Sequence, residues 1–130
     1  ADRAIDGEPA LNWSYNIREI RLGYVLLMAA EAFNRAGDDA KARGYLNQVR
    51  QRVFLPDVDD SGSALLDAIY LERQMELATE GHRFFDLVRT GRAAPELGDQ
   101  GFTAGKNEIL PIPQTEFDIT EGNLVQNPNY

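Results

Sequence analysis

The chain contains no cysteine and only one histidine among its 130 residues. Disulfide bonds and thiolate zinc sites are therefore excluded, and so is a metal site built from several histidines. Serine occurs only at Ser14, Ser61 and Ser63, and none of these lies in a Gly-x-Ser-x-Gly nucleophile elbow. The sequence also lacks a phosphate-binding loop and a dinucleotide fingerprint. No cofactor and no metal are expected.

Positive charge is scarce. The chain has 13 lysines and arginines against 21 aspartates and glutamates, which gives a net charge of −8. This balance argues against binding to nucleic acid and against adhesion of the protein surface to an anionic bilayer. No apolar run approaches the roughly 20 residues that span a bilayer, and no signal-peptide pattern is present. The chain starts without methionine, and we interpret it as a piece of a longer protein.

Helical periodicity dominates the middle of the chain. Apolar residues recur at the spacing of an amphipathic helix in four segments, which glycine, proline and aspartate separate. The predicted helices cover residues 17–36, 39–53, 64–79 and 83–90. We expect the first helix to bury Ile20, Tyr24, Leu27, Met28 and Ala32, and the second to bury Ala42, Tyr45, Leu46, Val49 and Val53.

The remaining segments are predicted to be loop or extended chain within the single domain 1–130. Residues 1–16 form a lead-in, and residues 91–105, with four glycines and a proline, form a Gly-rich loop. Residues 109–112 are apolar and proline-bounded, which favours a short extended segment over a central strand, because proline cannot donate to a β-ladder. Residues 115–120 are a candidate for one more helical turn.

The first two helices have the spacing of a tetratricopeptide-like hairpin. Gly37 occupies the turn, Phe33 precedes it by four residues, and Ala42 follows it by five. A lone helical pair cannot bury its own face, so other segments must complete the core. The predicted fold is all-α: a tetratricopeptide-like hairpin, two further helices, and an extended C-terminal segment packed on them. One functional alternative is therefore a stand-alone module that binds another protein.

Residues 72–92 combine dense charge with helical order. Leu71, Met75 and Ala78 keep helical spacing, and three glutamates share a neighbouring face. Arginines within reach favour an ion-pair network that fixes the angle between the third and fourth helices. Replacing Glu76 by Gln or Arg83 by Met should therefore destabilise the fold. The predicted structural network comprises Glu72, Arg73, Glu76, Glu80, Arg83, Asp86, Arg89, Lys106 and Asn107.

The same glutamates allow an alternative interpretation as a carboxylate-dependent glycoside hydrolase. Such enzymes hold two carboxylates about 5 to 10 Å apart, and helical i, i+4 spacing places Cβ atoms about 6 Å apart. The neighbouring arginines favour the structural network instead. His82 is more simply a cap or surface residue than a base, since no triad partner is evident. No catalytic residue is predicted.

Aromatic and amide side chains suit the recognition of sugars, because pyranose faces stack on rings and hydroxyls bond to amides. Trp13 and Tyr15, with Asn12 and Asn16, form such a cluster and are the candidate ligand-binding residues. The alternative is that the two rings pack at the start of the first helix. Three further aromatic residues fit helical core positions: Tyr70, Phe84 and Phe85.

Five motifs occur in one order along the chain. They are LLMAAEA at 26–32, LNQVRQRV at 46–53, ERQMELATEGHRFFDLVR at 72–89, KNEILPIPQTE at 106–116 and QNPNY at 126–130. Together they closely resemble the C-terminal region of the SusD/RagB family, over about residues 18–130. The departures are small: Gln74 stands where the family often has arginine, Val53 replaces alanine, and Asn129 replaces glycine.

The resemblance implies a cell-surface glycan-binding lipoprotein of the Bacteroidetes outer membrane that is not an enzyme. It implies that the intact protein binds oligosaccharides, or peptides as RagB-type relatives do, and passes them to a SusC-like TonB-dependent transporter. Contact with the membrane would come only through an N-terminal lipid anchor, which this chain lacks. In the family, the glycan site is built largely upstream of this region, so the present chain is expected to be mainly scaffold.

Overall fold

The computed structural model describes residues 20–130, and no β-strand occurs among them. The helices are α1 (Leu22–Arg35), α2 (Asp39–Arg52), α3 (Gly62–Glu76), α4 (Arg83–Arg89), α5 (Ala93–Leu97) and α6 (Gln114–Ile119), with a 3₁₀ turn at Gly98–Gln100. Within this described range, no helix is long and apolar enough to cross a membrane. The chain divides into two compact units, one ending at Glu76 and one beginning at Leu77.

In the first unit, α1 and α2 form the predicted hairpin. Gly37 has a φ of +82°, a left-handed conformation that glycine adopts without the strain of a Cβ atom. Asp38 caps α2 by accepting a hydrogen bond from the Lys41 amide at 3.1 Å. The turn between the helices is thus set by one glycine and one capping aspartate, as the sequence predicts.

The core of this unit combines all three helices, because α1 contacts both α2 and α3. The predicted face of α2 is confirmed at three positions, although Val53 is 44% exposed. The predicted face of α1 was wrong at Ile20, Met28 and Ala32, which are exposed. The residues that α1 buries are Leu27, Ala30 and Glu31, so its inward face carries a carboxylate that an apolar pattern does not predict. The buried core residues are Leu27, Ala30, Ala42, Leu46, Val49, Leu65 and Ile69.

The last two turns of α3 reverse the usual burial of apolar and charged residues. Leu71 and Met75 are 60% and 69% exposed, whereas Glu72 and Arg73 are only 5% and 4% exposed. Charged side chains are rarely buried unless they are paired. The inward face of α3 is therefore charged near its C-terminal end, and these charges need partners in the fold.

The second unit differs from the prediction in two places. Residues 91–105 are not wholly loop, since α5 and the 3₁₀ turn lie within them. Pro95 falls in the first turn of α5, where a missing amide donor costs no helical hydrogen bond. Phe85 was predicted to lie in the core but is 70% exposed, and Phe84 is 39% exposed. Consecutive residues cannot share one face of a helix, and the buried position of α4 is Leu87.

The C-terminal residues bind the extended segment through side-chain amides. The Gln126 side chain accepts a hydrogen bond from the Ile112 amide at 2.8 Å and donates to the Ile112 carbonyl at 3.0 Å. The Asn127 amide donates to the Leu110 carbonyl at 2.6 Å, and the Tyr130 hydroxyl donates to the Ile109 carbonyl at 3.0 Å. These side chains supply the bonds that a neighbouring strand would otherwise supply.

Candidate functional site

Glu76, the last residue of α3, is held by two arginines. Arg21 and Arg52 both donate to its carboxylate, Arg52 at 2.6 Å to one oxygen and 2.8 Å to the other. The Glu76 side chain is only 8% exposed. Arg21 also donates to the Glu76 backbone carbonyl, which places a cation at the negative end of the α3 dipole. One carboxylate thus joins the residue before α1, the end of α2 and the end of α3.

Gly23 makes this arrangement possible. A Cβ atom at position 23 would lie 2.6 Å from Glu76 Oε1 and 3.0 Å from Arg21 Nη1. Real Cβ atoms essentially never lie closer than 3.0 Å to another atom, so a larger residue would require the end of the Glu76 side chain, which two arginines hold, to move. Glycine is unfavourable inside a helix, and here the close approach of α1 to Glu76 explains its presence.

Glu72 forms the second buried pair of the network. Arg50 donates to Glu72 at 2.6 Å, and their side chains are 20% and 7% exposed. Arg50 also donates to the Pro56 carbonyl at 2.8 Å, in the loop that leads to α3. Asn47 holds the same loop, because its side chain accepts from the Val58 amide at 2.9 Å and donates to the Val58 carbonyl at 3.0 Å. One side of α2 therefore fixes both α3 and the loop before it.

Glu31 is a third buried carboxylate, which the sequence did not identify as a site residue. Arg35 donates to it at 3.0 Å, and the Tyr70 hydroxyl donates at 3.3 Å. Arg35 donates in turn to the Tyr70 oxygen at 2.6 Å. Burial, and then the nearby Glu31 carboxylate, raise the pKa of Tyr70 above its ordinary value. The phenol therefore stays protonated and links α3 to α1.

The other predicted network residues have partners of different kinds. Arg83 contacts Glu96, and Asp86 pairs with Arg89 at 2.8 Å, both within the second unit. The Arg73 guanidinium lies 5.2 Å from the Tyr24 ring centroid, and the Lys106 ammonium lies 4.8 Å from that of Tyr130. Asn107 accepts from the Thr103 amide at 2.6 Å. Glu80 follows the end of α3 in a turn and is exposed.

The predicted pairing of the carboxylates requires correction. The arginines proposed for Glu72 and Glu76 followed them in the sequence, but the observed partners are Arg21, Arg50 and Arg52, which precede α3. These pairs tie α3 to α2 and to the start of α1. Pattern analysis detected the buried carboxylates, yet helical spacing reveals partners only within one helix.

Two sets of candidate residues remain to be placed. Asn12, Trp13 and Tyr15, the predicted sugar-binding residues, lie outside the described range. His82 precedes α4 and is half-buried. Among residues 20–130, no group of three or more histidine, cysteine, aspartate or glutamate side chains could hold a metal ion.

The chemistry of the described carboxylates suits a structural role better than general acid–base catalysis. A general acid or base must be free to exchange a proton with a substrate. Glu72 and Glu76 are each almost enclosed, and each accepts strong hydrogen bonds from arginine. The site is therefore an anchoring network.

Comparison with known proteins identifies the family. A profile of the SusD family matches residues 8–130. SusD-like protein P25 of Formosa agariphila is 43% identical over 130 residues, which cover 88% of this chain and 24% of the relative. SusD-like protein P38 of the same organism is 37% identical over 93 residues, which cover 64% of this chain and 18% of the relative.

Solved structures support the same family assignment. A protein named laminarin binding SusD-like protein superimposes with a TM-score of 0.78 at 51% identity, over 98% of this chain and 26% of its own length. Surface glycan-binding protein A from Bacteroides thetaiotaomicron gives a TM-score of 0.77 at 39% identity, over 92% and 26% respectively. The chain belongs to the SusD family, and it spans about a quarter of the length of the relatives it matches.

We predict that Glu76→Gln lowers the free energy of unfolding by about 1 to 3 kcal/mol, because two arginines lose a buried charged acceptor. Chemical denaturation of the protein measures this change. Glu96→Gln is the matched control, since Glu96 also takes two arginines but is 31% exposed. Its effect should stay within about 1 kcal/mol. An equal loss of unfolding free energy in both variants would show that burial of Glu76 does not add to stability.

Gly23→Ala should destabilise the protein by about 1 kcal/mol or more, although alanine is the better helix former. The reason is the clash with the Glu76 carboxylate. Gly44→Ala in α2 provides the control, because a Cβ atom there meets no described residue within 4 Å. That variant should gain about 0.5 to 1 kcal/mol. Thermal unfolding distinguishes the two, and a gain in both would contradict the proposed contact.

Proposed function

We propose that this chain is a region of a cell-surface protein that binds a glycan without cleaving it. The observation that carries the proposal is its 51% identity, over 98% of the chain, to a laminarin binding SusD-like protein. A second relative by structure is a surface glycan-binding protein. Laminarin is therefore the first ligand to test, with other glycans and peptides as comparisons.

Within that protein, the described region acts mainly as scaffold. Its buried carboxylates bind arginines of the same unit, and its C-terminal amides bind the backbone of the extended segment. Groups committed in this way have little capacity left for a ligand or a reaction. The same commitment argues against the glycoside-hydrolase alternative, which needs an accessible carboxylic acid.

The intact protein would work at the outer membrane with a SusC-like TonB-dependent transporter. Membership of the family supports this partner and this location, because the resemblance implies a binding protein that hands its ligand to the transporter. A lipid at the N-terminus of the intact protein would supply the membrane contact. The opposing candidate, a stand-alone protein-interaction module, would need neither a glycan nor a transporter.

The intact protein should be retarded in native gels that contain laminarin and should release no shorter sugars on long incubation. Gels without the polysaccharide, and gels with unrelated glycans, serve as controls for migration and specificity. Retention of laminarin without products supports a binding protein. Release of oligosaccharides that disappears in a folded Glu76→Gln variant would instead establish a hydrolase, and no response to any glycan would refute glycan binding.

The transporter partner has its own test. Affinity-tagged intact protein, extracted from outer membranes in mild detergent, should co-purify with a TonB-dependent transporter that mass spectrometry identifies. An unrelated tagged lipoprotein from the same membranes is the control, because it shares only the anchor. Recovery of the protein alone, under conditions that preserve other membrane complexes, would contradict the proposed partnership.

A further inference from the structure

The outer face of α2 carries a hollow that the anchoring network does not use. Its volume is about 330 Å³, and it is lined by Lys41, Gly44, Tyr45 and Gln48. All four residues lie on one helix, so the hollow is shallow and open to solvent. Its lining combines an aromatic ring, an amide and an ammonium, which is a mixed composition and not an apolar groove.

The aromatic ring of the hollow has a fixed orientation. Tyr45 stacks on Phe33 with ring centroids 5.5 Å apart and an interplanar angle of 16°. Phe33 thus covers one face of the tyrosine ring, while Tyr45 also lines the hollow. The Lys41 ammonium lies 5.1 Å from the centroid of the Phe33 ring. A ring held in this way loses little side-chain freedom when a ligand stacks on it.

The polar groups of the hollow are oriented by internal bonds and keep further hydrogen-bonding capacity. Gln48 donates one hydrogen bond to the Gly44 carbonyl at 3.1 Å, and an amide carries a second N–H donor and an acceptor oxygen. Lys41 pairs with Asp38 at 2.8 Å, and an ammonium has three donors. The pairing with Asp38 offsets the positive charge, so these groups suit neutral hydroxyls better than an anion.

Gly44 is the least expected residue of this surface. It lies inside α2, where glycine is among the poorest residues. Its backbone is not left-handed, and among residues 20–130 a Cβ atom would meet nothing within 4 Å. Within that range, neither strain nor packing calls for glycine here. Since Gly44 lines the hollow, a side chain at this position would instead fill the space a ligand needs.

We propose that this hollow binds one sugar ring of a glycan. This inference rests on the proposed function and gives it a location on the described part of the chain. The C–H face of a pyranose stacks on Tyr45, and its hydroxyls bond to Gln48 and Lys41. Gly44 lets the sugar approach the helix backbone. The contact is a single ring, so it adds to the binding of a long glycan more than of a short one.

The test is a titration of the ¹⁵N-labelled protein with laminarin oligosaccharides, followed by NMR. The expected result is a set of saturable shifts in the amides of residues 41–48 and in the side-chain amide of Gln48. Gly44→Leu should weaken this binding about tenfold or more, because it fills the hollow and removes no interacting group. Tyr45→Ala should do the same, but Tyr45 packs on the core, so Gly44→Leu is the decisive variant.

Phe54→Ala is the control for nonspecific stacking, since Phe54 is an aromatic residue that is 96% exposed and lies outside the hollow. The affinity of the Phe54→Ala variant for laminarin oligosaccharides should equal that of the parent protein. An absence of shifts at residues 41–48, or equal affinity in Gly44→Leu, would overturn the inference. If the intact protein still binds laminarin in those cases, the proposed function stands and only this location falls. If the intact protein binds no glycan, the proposed function itself fails.

Discussion

The first unit depends on one carboxylate in a confined place. The Glu76 carboxylate accepts hydrogen bonds from Arg21, the residue before α1, and from Arg52 at the end of α2. Gly23 leaves room for this carboxylate. A buried charge is costly unless its partners are well placed, so the helix ends can meet in few ways. We infer that the network contributes more to the choice of one arrangement of the helices than to the total stability.

Side-chain amides play a comparable part where regular secondary structure is absent. Asn47 and Gln126 each bond to both the amide and the carbonyl of one backbone residue, Val58 and Ile112 respectively. In this way an amide side chain reproduces the bonding pattern of a neighbouring strand. Loops without ladders can then keep their backbone groups satisfied. Asn47 makes these bonds from helix α2 and Gln126 makes them from the C-terminal QNPNY motif.

The sequence predicted the helices well and their contacts less well. The hairpin, its glycine turn and the buried face of α2 follow from periodicity and capping, which act within about a turn of helix. The buried face of α1 was not predicted, because it includes the charged residue Glu31, whose partner Tyr70 lies on another helix. The sequence predicted an ion-pair network for Glu72 and Glu76, but Arg50 and Arg52 are separated from them by a loop. Such pairing depends on tertiary structure, which spacing along one helix does not encode. The helix at Ala93–Leu97 was missed because glycines on either side suggested loop.

The side chains that hold the fold differ from those that remain open to a ligand, and this difference bears on function. The carboxylates of Glu31, Glu72 and Glu76 all bind arginines, so a ligand would compete with the fold for them. Recognition of a glycan requires groups whose bonding capacity is not used internally. On α2 the two kinds of group share one helix: Asn47, Arg50 and Arg52 hold loop and helix ends, whereas Lys41, Tyr45 and Gln48 line an open hollow. Because the anchored side fixes the helix, the open side presents its residues from a fixed backbone, and such preorganisation would favour the sugar contact that we propose.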